Sequence, residues 1–101
     1  MILNVHCTNG KARITLHGRF DFNAHRDFKS SYDPVLSAAD VNAIEIDLGQ
    51  VVYLDSSALG MLLLLKEKAE HVNKSVTLTN CHGTVQQVLE IANFGRLFTI
   101  H

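Results

Sequence analysis

No apolar run in this sequence approaches the roughly 20 residues needed to cross a bilayer, and its basic residues never cluster. Lys11, Arg13, Arg19, Arg26, Lys29, Lys66, Lys68, Lys74 and Arg96 are dispersed among acids, whereas a surface that tracks a phosphate backbone needs grouped charge and interleaved aromatics. Membrane insertion and nucleic-acid binding are therefore not expected. The N-terminal stretch has no cationic segment leading into an apolar one and a cleavage site, so the expected location is the cytoplasm. Cysteine is scarce: Cys7 and Cys81 lie far apart, in or at the end of probable strands, and are expected as small buried hydrophobes. His6 and His82 stand next to them, but adjacent strand residues point to opposite faces and no C-x-x-C or H-x-x-x-H spacing exists. Neither a metal site nor a cofactor is expected, and His17, His25, His71 and His101 read as solvated.

What is present is one domain, residues 1–101, without repeats, linkers or low-complexity segments and with a net charge of only −1. A chain of this length buries about two-thirds of its unfolded surface in a single core. Ile2–Cys7 and Ala12–His17 alternate in polarity around Thr8-Asn9-Gly10, which predicts a hairpin, with Gly18 ending the second strand. Ala24, Phe28, Tyr32, Val35, Leu36 and Ala39 fall at helical spacing. Pro34 disfavours helix at Asp33 and removes an internal hydrogen bond, so a kink or restart is expected there, with Asp33 as the cap. Val41–Leu48 is a strand with Ile44, Ile46 and Leu48 on one face and Glu45 and Asp47 on the other. Ser75–Thr79 is a short strand, and Thr84–Ala92 a helix capped near Gly83 or Thr84. Phe94, Leu97 and Phe98 close the core, and residues 98–100 supply a possible edge strand. The fold class is α/β: a mixed sheet of four to five strands, its later ones parallel, in the order β-β-α-β-α-β-α.

The stretch around which the rest is arranged is Val51–Leu65, V-V-Y-L-D-S-S-A-L-G-M-L-L-L-L. It reads as a loop ending in a helix N-terminus, since Asp55, Ser56 and Ser57 are all able to cap a first turn. The helix runs to a stop at Asn73, with Ala58, Met61, Leu62, Leu65, Ala69 and Val72 as its core stripe. Leu59, Leu63 and Leu64 fall outside that stripe, and two readings stay open: neighbouring helices cover them, or they form a docking patch beside the serines. Gly60, costing about 1 kcal/mol of helix propensity relative to Ala, favours close approach of a partner. A phosphate on a serine here would be tolerated by the positive end of the helix dipole. It would add roughly −1.5 to −2 of charge beside Asp55.

Two segments resemble the STAS domain, and within it the anti-sigma-factor antagonists of bacteria. L-H-G-R-F-D, Leu16–Asp21, is similar to the family's L-x-G-x-[LF]-D, and the segment Ile44–Gly60 is similar to its central strand and D-S-S-G-L-G loop; Val85, Leu89, Phe94, Leu97 and Phe98 fit its C-terminal pattern. The resemblance implies a single STAS-like domain with no catalytic activity of its own. It implies that Ser56, directly after the Asp, is phosphorylated by a serine-kinase anti-sigma factor. The unphosphorylated form would sequester that kinase and free a sigma factor, phosphorylation would inactivate it, and a metal-dependent serine phosphatase would reset it. The partner-binding residues are then Asp21, Asp55, Ser57, Leu59, Gly60 and Leu63, on a monomer or weak dimer. One departure stands out: Ala58 replaces the family's glycine and bears on close docking of a kinase. The alternative is a non-switching STAS adaptor or scaffold, stressosome-like or a transporter-associated subunit. An enzyme with a serine nucleophile is disfavoured, because G-x-S-x-G is missing and no histidine is marked as its base.

Overall fold

The Asn9-Gly10 pair does what its composition requires: both residues have positive φ, 52° and 80°, the backbone of a primed two-residue turn. It joins β1 (Ile2–Thr8) to β2 (Lys11–Phe20) as an antiparallel pair with Thr8 opposite Lys11. The computed structural model describes residues 1–101 throughout. Beyond the hairpin come a 3-10 turn (Phe22–Ala24), α1 (His25–Ser37), β3 (Ala43–Leu54), α2 (Ser56–His71), β4 (Ser75–Thr79), α3 (Gly83–Ile91), a second 3-10 turn (Phe94–Arg96) and β5 (Thr99–Ile100). The sheet order is β1-β2-β3-β4-β5, with β2 to β5 mutually parallel. The expected α/β class, mixed sheet and element order are all present, and residues 99–100 do form the edge strand.

All three helices share one core with one face of the sheet. Ala12, Ile14 and Leu16 of β2, Ile44, Ile46 and Leu48 of β3 and Leu78 of β4 join Phe28, Tyr32, Leu62, Leu65, Val85, Leu89, Phe94 and Phe98 in a single buried cluster. The opposite face carries the alternate residues, and its centre is ionic. Glu45 accepts from Arg13 Nε at 2.7 Å, Lys11 Nζ at 3.2 Å and Thr79 Oγ1 at 3.1 Å. Burial by itself pushes the Glu45 carboxyl up, but the hydrogen bonds from Arg13, Lys11 and Thr79 and the charge of Arg13 outweigh it and hold the carboxyl below its ordinary value.

Several boundaries differ from those read in the sequence. Gly18 does not end β2: the strand continues to Phe20, and Gly18, at φ +97°, sits beside a shift in register against β3. β3 likewise runs on through Gly49 to Leu54, so Val51–Leu54 is strand, not loop. No restart occurs at Pro34, which lies inside a continuous α1. Asp33 caps nothing; its carboxylate pairs with Lys29 Nζ at 2.6 Å, one turn earlier. Val72 and Leu97, expected in the core, are each 45% exposed, because α2 ends at His71 and the chain turns at Phe94–Arg96. Cys7 is exposed on β1 rather than buried, and Cys81 is half-buried, its thiol pushed up to about 11 by desolvation and by the charge of Asp47. The α3 cap is His82, one residue before the expected position, and its side chain makes no capping bond.

Lys74 is a buried cation that the sequence did not single out. Its Nζ donates to the carbonyls of Ala38, at 2.8 Å, and Val41, at 2.5 Å. It thereby ties the turn after α2 to the connection between α1 and β3.

Candidate functional site

Two neighbouring parallel strands end in register, and each hands over to an aspartate. Phe20 of β2 pairs with Leu54 of β3, and the amide of Asp55 donates to the Phe20 carbonyl at 3.4 Å. Asp21 and Asp55 therefore emerge side by side. Each turns its carboxylate back on the chain that follows it: Asp21 Oδ1 accepts from the Asn23 amide at 3.0 Å, and Asp55 Oδ1 from the Ala58 amide at 2.9 Å. Of the three residues able to cap α2, Asp55 is the one used, which leaves the Ser56 hydroxyl unspent.

Ser56 is the first residue of α2 and is exposed; Ser57 is half-buried. The inward stripe is Ala58, Met61, Leu62, Leu65 and Ala69. Steps of four and seven residues from Ser56 reach Gly60 and Leu63, placing all three on the face turned away from that stripe. Leu63 and Leu64 are each 39% exposed, Leu59 is half-buried, and Gly60 has open space where a side chain would stand. Of the surplus leucines, Leu63 and Leu64 are thus left uncovered, while Leu59 packs partly against the core. Asp21, Asp55, Ser56, Ser57, Leu59, Gly60 and Leu63 all belong to the strand-to-helix junction or the first two turns of α2. Ala58, in contrast, is wholly buried in the core. Its methyl is enclosed in the core, so the departure from the family's glycine bears on packing and not on the surface that a partner would meet.

Sequence reasoning passed over four neighbours. Phe22 follows Asp21 and is 70% exposed. Val52 and Tyr53 near the end of β3 are exposed as well, and Arg19 lies over the Tyr53 ring with its guanidinium carbon 4.2 Å from the centroid, while its Nε stands 3.6 Å from Asp21 Oδ2. The signal was the strand length: once β3 is extended to Leu54, Tyr53 faces Arg19 across the ladder. No set of three or more histidine, cysteine or acidic side chains is grouped as metal ligands would be.

A five-stranded mixed sheet backed by helices, with a serine opening an aspartate-capped helix where the central strand ends, defines a STAS-type domain. The chain belongs to the STAS family: the family model described as "Mlab, STAS domain" matches residues 4–99. A STAS-domain containing protein of Pseudomonas aeruginosa is 47% identical over 87 residues, covering 86% of this chain and 84% of that protein. Among solved structures, the anti-sigma factor antagonist SpoIIAA in its unphosphorylated form aligns with a TM-score of 0.82 over 99% of this chain and 88% of its own, at 21% identity. An anti-sigma factor antagonist from Mycobacterium paratuberculosis aligns at 0.87 over 99% and 84%, at 17% identity. At such identities these structures speak for the fold.

Proposed function

We propose that this chain is an anti-sigma-factor antagonist acting as a phospho-switched binding module, with Ser56 as the phosphoacceptor. The observation that carries the reading is the exposed, unspent Ser56 hydroxyl on the same helical face as Gly60 and Leu63, beside uncovered leucines. An apolar patch of this kind suits a protein partner. In the unphosphorylated form the patch, Asp21, Asp55 and Ser57 hold a serine-kinase anti-sigma factor. The kinase passes the γ-phosphoryl of ATP to the Ser56 oxygen. The product adds about −1.5 to −2 of charge next to the carboxylates of Asp55 and Asp21. The helix N-terminus accommodates that charge, so the fold survives, but an interface fitted to a neutral hydroxyl is opposed by desolvation and like-charge repulsion. A metal-dependent serine phosphatase restores the binding form. In this reading the domain binds and is modified without catalysing a reaction, and it works in the cytoplasm.

The test is peptide mass spectrometry on protein from its native cells under growth and stress, with Ser56→Asp and Ser56→Ala compared for capture of the kinase. A phosphate on the Asp55-Ser56-Ser57 peptide whose occupancy changes with condition, with the aspartate variant releasing the kinase and the alanine variant holding it, is expected. A peptide that is never modified, or an aspartate variant that binds like wild type, sinks the switch in favour of a non-switching adaptor.

A further inference from the structure

The sheet is closed at neither edge, and its two edges are unlike. β5 is only two residues long, whereas β1 offers seven residues with no proline, no charged side chain and no irregularity in its pairing with β2. Natural edge strands are usually blunted by lysine, proline, bulges or shortness, because their free N–H and C=O groups recruit another strand. β1 uses none of these devices. Beside it runs a groove lined by Val5 and Cys7 and by Pro34, Val35, Ala38 and two serines of the α1 side, again without a charged residue.

The register fixes which backbone groups are free. In a hairpin closed by a two-residue turn, the residues flanking the turn form a hydrogen-bonded pair, and such pairs alternate along the ladder. Thr8, His6, Asn4 and Ile2, opposite Lys11, Arg13, Thr15 and His17, direct their backbone groups to β2. Leu3, Val5 and Cys7 direct theirs outward. Val5 is the middle member of this free set, and its side chain is 44% exposed.

We propose that β1 is a homodimerisation edge, pairing antiparallel with β1 of a second copy about a two-fold axis at Val5. Centred there, Val5 meets the partner copy's Val5, Leu3 meets its Cys7 and Asn4 meets its His6. Each free backbone group is then matched, since the Val5 and Leu3–Cys7 pairs are of the type that exchanges two hydrogen bonds. On the helix face the opposed side chains are all apolar, and on the other the Asn4–His6 and Ile2–Thr8 pairs are uncharged, so the strand meets itself without charge repulsion. A one-residue slip sets the free groups of Leu3, Val5 and Cys7 against residues whose backbone groups are already spent on β2, and sets Asn4 or His6 against apolar neighbours. The result is one continuous sheet of twice the strand number. The axis is on β1, two strands from β3, and each dimer presents two Ser56 surfaces.

The test is sedimentation velocity on the full chain from about 1 to 500 µM, combined with amide hydrogen exchange at both ends of that range. Wild type is expected to pass from one chain mass to twice that mass. The amides of Leu3, Val5 and Cys7 should gain protection with concentration, while those of Asn4 and His6 are protected throughout. Val5→Lys, which sets like charges face to face on the axis, should weaken association by roughly tenfold or more. A chain that stays monomeric at the highest concentration overturns the proposal. So does a dimer in which the Leu3, Val5 and Cys7 amides exchange as they do at low concentration. The exchange pattern of wild type decides the matter even if Val5→Lys fails to fold.

Discussion

Gly60→Ala separates the stability of α2 from its use. Gly60 is the fifth residue of a 16-residue helix, and a Cβ added there meets no atom within 4 Å. The methyl therefore incurs no steric cost, and the change reduces to helix propensity, worth about 0.8–1 kcal/mol in favour of alanine at an interior position. For a domain of about 100 residues that amount raises Tm by roughly 4–8 °C, measurable by circular dichroism. If the Ser56–Gly60–Leu63 face is where a kinase docks, the same methyl intrudes on the interface, and phosphate occupancy of Ser56 in cells should fall although the protein is more stable. A Tm that drops would refute the open-face geometry. A Tm that rises with occupancy unchanged would refute close docking at Gly60 while leaving the fold intact.

Lys74→Met should lower stability by about 3 kcal/mol, because it removes two charge-assisted hydrogen bonds and leaves the Val41 carbonyl without its lysine partner; a thermal melt should show a fall of roughly 12–24 °C, and a fall under about 4 °C would show the lysine to be dispensable. Glu45 sets an acid limit. Its folded pKa lies below its unfolded one, so its stabilising contribution is complete above the unfolded value and is lost as pH falls through the lower, folded value. In urea titrations Glu45→Gln should be less stable than wild type at pH 7, and the gap should close in acid as wild type loses its advantage; a gap that does not depend on pH would contradict the ion-pair account.

The elements most legible in the sequence were those specified by local chemistry. Asn9-Gly10 can hardly be read as anything but a hairpin turn, the Asp55-Ser56-Ser57 triplet marks a helix start, and the run Ser75–Thr79, rich in β-branched residues, is flanked by Asn73 and Asn80, which favour turns. The boundaries that shifted were decided by tertiary contacts. Gly18 and Gly49 look like breaks, but each is carried inside a strand because β2 and β3 hold one another through shifts of register. Pro34 stays within α1, where the buried residues Phe28, Tyr32 and Val35 fix the helix on the sheet from both sides of it. At the candidate site the family motif brought out Asp21 and Ser56, but not Arg19, Phe22 or Tyr53, whose exposure follows from where β3 ends. Nor did any local signal distinguish covered from uncovered leucines on α2, since that depends on which elements never arrive there.

The spatial order of the strands repeats their order in the chain. No strand must be inserted between two already paired, and none waits for a distant segment to complete its ladder. As the polypeptide leaves the ribosome, the hairpin can close within microseconds, and each later strand adds to one growing edge with its helix folding over what is already built. Assembly can thus keep pace with synthesis at about 5–20 residues per second, and at each stage the rim opposite β1 is the one that the next segment is about to cover.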